Sequence, residues 1–264
     1  MQLFYRQLGS GEPIIIVHGL YGSSDNWLNI AKKLSEKHSI YAIDLRNHGQ
    51  SPHSKNFSIS VMAEDLYQFV KEHNLKKINL IGHSLGGKIS LEFAAKHTEY
   101  IKNLIIVDIA PRKYTDDEFE ERKKHKEIIN ILKNINLQKY KNRKDAVEEL
   151  NKIDTSGRLK LFMMKNIKRQ KDGTLQWRIN LESIADNLSN ILNNFEADIS
   201  KIDCPTLFIK AEKSNYLTKK DFQLITSKMQ KPEITIIEDT SHWLHSEKPD
   251  IFTKIVLNFL ERNQ

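Results

Sequence analysis

Gly82-His83-Ser84-Leu85-Gly86 sets one serine between two glycines, after the apolar run 78–81 and before the amphipathic stretch 87–97. G-x-S-x-G between a strand and a helix is the arrangement that holds a serine hydroxyl on a sharp turn above a sheet. Neighbours without a β-carbon spare that turn a collision. The chemistry it suits is nucleophilic attack on an acyl carbon, with backbone N–H groups at the helix start turned toward the oxyanion that forms. Glycines and serines recur in ordinary loops, so the flanking elements and the partners carry the weight of this reading. A serine alkoxide does not form unaided near neutral pH. A histidine base and an acid to orient it are therefore expected downstream, in the chain order serine, acid, histidine.

The chain has ten histidines. His242, in "EDTSHWLHSEKP", follows the last apolar run and precedes the final amphipathic stretch, where a loop returns toward the serine. His245, three residues on, is better placed to pack against or cap that helix. Two carboxylates compete for the acid: Asp108, which closes "NLIIVD", and Glu212, just after "PTLFIK". A turn cap is the alternative role for Asp108, and a solvated loop charge for Glu212.

The elements that must position these groups are legible as a rhythm. Apolar, isoleucine-rich runs at 13–19, 39–44, 77–82, 103–108, 205–210 and 233–238 are too short for stable helices and lack polar alternation, as expected of strands buried on both faces. Helical spacing marks 25–37, 61–73, 87–97, 219–229 and 250–262. Such alternation predicts an α/β fold, a mostly parallel central sheet with helices on both faces. Charged, helix-like segments fill 112–200, with 172–180 as a strand or turn. This predicts a core of 1–111 and 201–264 with a helical cap, 112–200, inserted over the carboxyl ends of the strands, where open α/β sheets bind ligands.

Composition narrows the function. A hydrophobic fraction of 39% without repeats or low-complexity tracts describes a globular protein. The net charge of +7 is spread along the chain and unaccompanied by a helix-turn-helix, zinc or base-stacking motif, which argues against nucleic acid. Dispersed histidines, no H-E-x-x-H and a single cysteine, Cys204, argue against a metal, a cofactor or an internal disulfide. No signal-length apolar segment and no run of eighteen apolar residues is present, so a soluble, cytoplasmic protein with no membrane span is expected.

"IVHGLYGSSDNW", "IDLRNHGQSP", "IGHSLGGK", "VDIAP", "LFIKAEKSNYL" and "SHWLHSEKPD" follow one another in the order found in α/β-hydrolases. Together they most closely resemble the YbfF-type esterases, and the resemblance spans nearly the whole core. It is weaker in the cap, where "DGTLQWRIN" is its clearest match. The resemblance implies that Asp108 is the acid, with Ser214 standing where most of the superfamily carries it, either supporting acid or base by a hydrogen bond or serving as a plain turn serine. It leaves Glu212 in a non-catalytic position as the runner-up acid, assigns the oxyanion donors to the N–H groups of Leu20 and Leu85, and gives Asp44, Arg46, His48 and Ser51 a bracing role below the site, where internal hydrogen bonding without chemistry is the favoured reading.

The expectation is thus a cofactor-free serine hydrolase of small carboxylic esters, with acyl-CoA thioesters as a further class and Ser84, His242 and Asp108 as catalytic residues. Trp27, Phe162, Met163, Met164, Trp177 and Trp243 are candidates for an apolar acyl pocket, with core packing the other role open to each, and Lys165, Lys168, Arg169 and Lys171 for a basic pocket mouth, with an ordinary solvated helix face the other reading. Perhydrolysis on the same triad and a ligand-binding receptor on the same scaffold are the alternatives.

Overall fold

The computed structural model describes residues 1–114, 120–150, 157–230 and 232–264. Its elements run β1 (Tyr5–Leu8), β2 (Glu12–Val17), α1 (Leu28–Leu34), β3 (His38–Ile43), α2 (Ile59–Glu72), β4 (Ile78–His83), α3 (Leu85–Lys96) and β5 (Ile101–Val107). Next come α4 (Glu120–Asn134), α5 (Arg143–Leu150), α6 (Arg158–Met164), the short strands β6 (Ile167–Arg169) and β7 (Leu175–Trp177), and α7 (Leu181–Asn193). The chain closes with β8 (Thr206–Ala211), α8 (Lys219–Lys228), β9 (Glu233–Ile237), α9 (Leu244–Glu247) and α10 (Pro249–Arg262).

All six apolar runs become strands of one sheet, ordered β1-β3-β2-β4-β5-β8-β9 and parallel except for β1. Alternation along each strand explains their composition. Ile15, Val17, Leu80, Leu104 and Ile106 face a core shared with α2 and α3, while Ile14, Ile16, Ile81, Ile105 and Val107 face one shared with α1 and α10. The antiparallel strand β1 was not foreseen. It lies at the edge, pairs Tyr5 with Ile43, and needs no apolar run because its sequence, YRQL, stays partly in solvent.

Strand order reverses between β2 and β4, and the carboxyl ends of β2, β4, β5, β8 and β9 open onto one edge of the sheet. The loops carrying Leu20, Ser84, Asp108, Ser214 and His242 all leave from that edge.

The segment between β5 and β8 is fastened to the core at several points. Arg178 and Arg6 share Asp25, at 2.9 and 2.6 Å. The Asn180 N–H donates to the Asn47 carbonyl and the Ser183 hydroxyl to the Ser54 carbonyl. At the far end of α7, the buried Lys88 ammonium donates to the carbonyls of Ile191 and Leu192 and lies over the Tyr114 ring, a cation placed where a helix leaves its last carbonyls unpaired. Burial pulls the Lys88 pKa down to about 7. Among the described residues no helix is long and apolar enough to cross a membrane.

Candidate active site

Ser84 sits at φ 54°, ψ −118°, between the last residue of β4 and the first of α3. A side chain in that conformation is strained, and the turn closes only because its flanks are bare. A β-carbon on Gly82 would lie 2.4 Å from Ser90 Oγ and one on Gly86 2.2 Å from the Val17 carbonyl oxygen. The amides of Leu20 and Leu85 have no hydrogen-bond partner among the described residues, so both are available to an oxyanion.

Asp108 follows β5 at φ 49°, a left-handed turn that swings its fully buried carboxylate across β8. One oxygen accepts from the Ala211 N–H at 3.0 Å. The other accepts from His242 Nδ1 at 2.7 Å, which leaves Nε2 as the imidazole's free lone pair. Glu212 is engaged elsewhere, accepting from the Asp239 N–H at 2.8 Å. His245 is buried and stacked on Trp27 at 4.1 Å, with its pKa pushed by burial down to about 3. Ser214 reaches neither Asp108 nor His242; its hydroxyl accepts from the Tyr216 N–H.

The loop 44–51 braces the site through hydrogen bonds. Asp44 accepts from the Ser24 and Gln50 N–H groups, Ser51 donates to the Asp44 carbonyl, and Arg46 grips Asp65 through two bonds. His48 Nε2 accepts from the Tyr21 N–H, fixing the loop that carries Leu20, and Nδ1 then donates to the Arg46 carbonyl. His18 repeats the device, accepting from the Leu45 N–H and donating to the Gly19 carbonyl.

Ser84 and His242 open into one cavity of about 600 Å³. Trp27, Phe162 and Trp243 line it, as do Leu20 and Ser214. The pocket expectation fails for Met163, Met164 and Trp177. On α6, Leu159 and Phe162 line the cavity, whereas Met163 is fully buried in the core and Met164 is not among the lining residues. Trp177 is held on β7 opposite Ile167. The basic cluster fails as well: Lys165, Lys168, Arg169 and Lys171 do not line the cavity, and Arg169 is committed to the carbonyls of Gly173 and Lys141.

Comparison with known proteins agrees with this geometry. A family model described as the α/β-hydrolase fold matches residues 12–134. A putative esterase/lipase of Haemophilus influenzae is 34% identical over 95% of this chain and 83% of its own. Esterase YbfF of Escherichia coli is 29% identical over 95% of this chain and 94% of its own. The structure of a marine microorganism esterase superposes with a TM-score of 0.92 at 43% identity, covering 98% of this chain and 99% of that one. This chain belongs to the α/β-hydrolase family. These relatives are named esterases and lipases, and the protein is a carboxylic ester hydrolase.

The hydrolase site also contains residues that the sequence did not single out. Tyr216 stacks on the His242 ring at 4.0 Å, and His125 of α4 bonds the Tyr216 hydroxyl at 2.8 Å. Both line the cavity. Tyr216 stands within the quoted "LFIKAEKSNYL", but nothing in the spacing relates it to a histidine in a charged helix far upstream.

The braces make the enzyme acid-sensitive. Burial holds His18 at about 4 and His48 and His245 at about 3, against an ordinary 6.5. The folded protein keeps them neutral while the unfolded chain takes up protons below about pH 6.5, so unfolding is favoured as pH falls from there toward 4. Each histidine then costs about 1.4 kcal/mol per pH unit, several kcal/mol together by pH 5. The urea midpoint should decline gently from pH 7.5 to 6.5, where the unfolded histidines begin to take up protons and Lys88 is not yet fully charged in the fold, and fall steeply below; a midpoint unchanged at pH 5 would refute this account.

Proposed function

We propose that the protein hydrolyses small carboxylic esters through a Ser84–His242–Asp108 triad and an acyl-enzyme. Ser84 Oγ attacks the acyl carbon, and His242 Nε2 takes its proton and passes it to the departing alcohol. The amides of Leu20 and Leu85 stabilise the oxyanion, and Asp108 keeps the imidazole in the tautomer that can accept. Water, activated by the same histidine, then releases the acid. The reading rests above all on the 2.7 Å bond between Asp108 and His242 beside a cavity that Ser84 also lines. The described residues of 112–200 serve as a cap over this cavity, and Leu20, Ile128, Ile131, Leu159 and Phe162 favour an apolar acyl chain.

Thioesters present the same acyl carbon and fall within the same chemistry. The basic residues at 165–171 lend no support to a coenzyme A site, so neutral esters are the better substrates. A phosphonate ester inhibitor tests the nucleophile directly: peptide mass spectrometry should find a stoichiometric adduct on Ser84, and an adduct on another residue would overturn the assignment. A panel of p-nitrophenyl esters and acyl-CoA thioesters of graded chain length should show the neutral esters preferred at each length.

A further inference from the structure

One bond to Asp108 does not aim an imidazole. A ring held only at Nδ1 still swings about that contact, and Nε2 must point at the serine for proton transfer to occur. His242 is partly open to the cavity, so solvent-side packing does not fix it. The ring lying flattest against it is that of Tyr216, at 4.0 Å and 24° between planes; His83 lies at 4.6 Å, tilted by 39°.

Tyr216 is itself held at both ends. Its carbonyl accepts from the Ala110 N–H and the Tyr114 hydroxyl, both on the chain leaving Asp108. At the other end its hydroxyl meets Nε2 of His125 on α4, in the segment inserted between β5 and β8. Burial pushes His125 down to about 4, so near neutrality it brings no second positive charge to the site.

We propose that Tyr216 is a positioning residue for the general base: its ring holds the His242 imidazole in register with Ser84, and His125 locks that ring from the cap. The proposal rests on the reading of His242 as the base. It makes α4 part of the catalytic apparatus without contact with the reacting atoms. Substrates or variants that disturb α4 then alter turnover through His125 and Tyr216.

Tyr216→Phe keeps the stacked ring and loses the bond to His125, whereas Tyr216→Leu loses the flat ring. On a short neutral ester, Tyr216→Leu should lower kcat by about 10- to 100-fold with KM within about twofold, the pattern of a misaimed group. Tyr216→Phe and His125→Phe should each lower kcat only about threefold, and the two together no further, since they remove one interaction. Wild-type kcat in Tyr216→Leu, or equal losses in the Phe and Leu variants, would overturn the stacking role; additive losses in the double variant would overturn the lock.

A spectroscopic reading stands even if Tyr216→Leu does not fold. A proton over an aromatic face resonates upfield, so in the wild-type protein a ring-proton resonance of His242, identified by its loss in His242→Ala, should lie upfield of free imidazole. A free-imidazole position there overturns the stack. Full activity in Ser84→Ala or His242→Ala would instead overturn the triad and leave the stack standing.

Discussion

Ser84→Ala and His242→Ala are each expected to lower kcat by up to about 10⁶ while leaving the thermal midpoint close to that of the wild type. Neither side chain is a structural keystone. The turn at Ser84 depends on Gly82 and Gly86, and the His242 carbonyl is held by His83 independently of the His242 imidazole. The losses should not add, because a nucleophile without its base and a base without its nucleophile are equally idle. A residual acceleration of about 10³ to 10⁴ over water should persist in both, supplied by the Leu20 and Leu85 amides and by binding. Steady-state kinetics with a p-nitrophenyl ester, normalised to the concentration of folded protein, decides the matter: more than about a tenth of wild-type activity in either variant would displace that residue from the proposed triad.

Asp108→Asn should cost about 10³ to 10⁴ in kcat, for a reason visible in the two bonds that Asp108 makes. The introduced amide can keep its oxygen on the Ala211 N–H, so the turn survives. Its NH₂ then faces His242 Nδ1 and forces the ring proton onto Nε2, the nitrogen that accepts from Ser84 in the proposed mechanism. Glu212→Gln, at a side chain that only braces the Asp239 amide, should stay within about twofold of wild type in kcat. The reverse ranking would move the acid to Glu212.

These two carboxylates also show where sequence reasoning reaches its limit. Apolar runs reveal strands because burial on both faces leaves no room for polar alternation, and a serine between glycines reveals the turn because only bare neighbours fit. Both Asp108 and Glu212 end strands at the correct edge, and residue type alone does not separate them. The left-handed turn at Asp108 puts its carboxylate on the Ala211 amide and on His242 while Glu212 turns to the Asp239 amide, and only the resemblance to YbfF-type esterases singled out Asp108 in advance. The edge strand β1 went unread because half-exposed pairing demands little of composition. Met163 and Trp177 stood open between cavity and core for a related reason: a large apolar side chain signals burial, not the cavity it faces. The contact of His125 with Tyr216 joins two distant parts of the chain and leaves no local trace.

The seam between β5 and β8 bears on how the chain acquires its activity. Leu104 lies beside Thr206 and Val107 beside Ile209, so neighbours in the sheet are on the order of 100 residues apart along the chain. Strands β2 to β5 assemble through shorter crossovers, whereas closing this seam carries a loop-entropy cost about 2 kcal/mol above that of a ten-residue connection. Refolding from urea should therefore restore sheet circular dichroism first and esterase turnover later, since Asp108 meets the Ala211 amide and His242 only once the seam is shut. Until then Leu104 and Ile106 present an open strand edge to other molecules, which makes the half-assembled sheet the species most prone to aggregate.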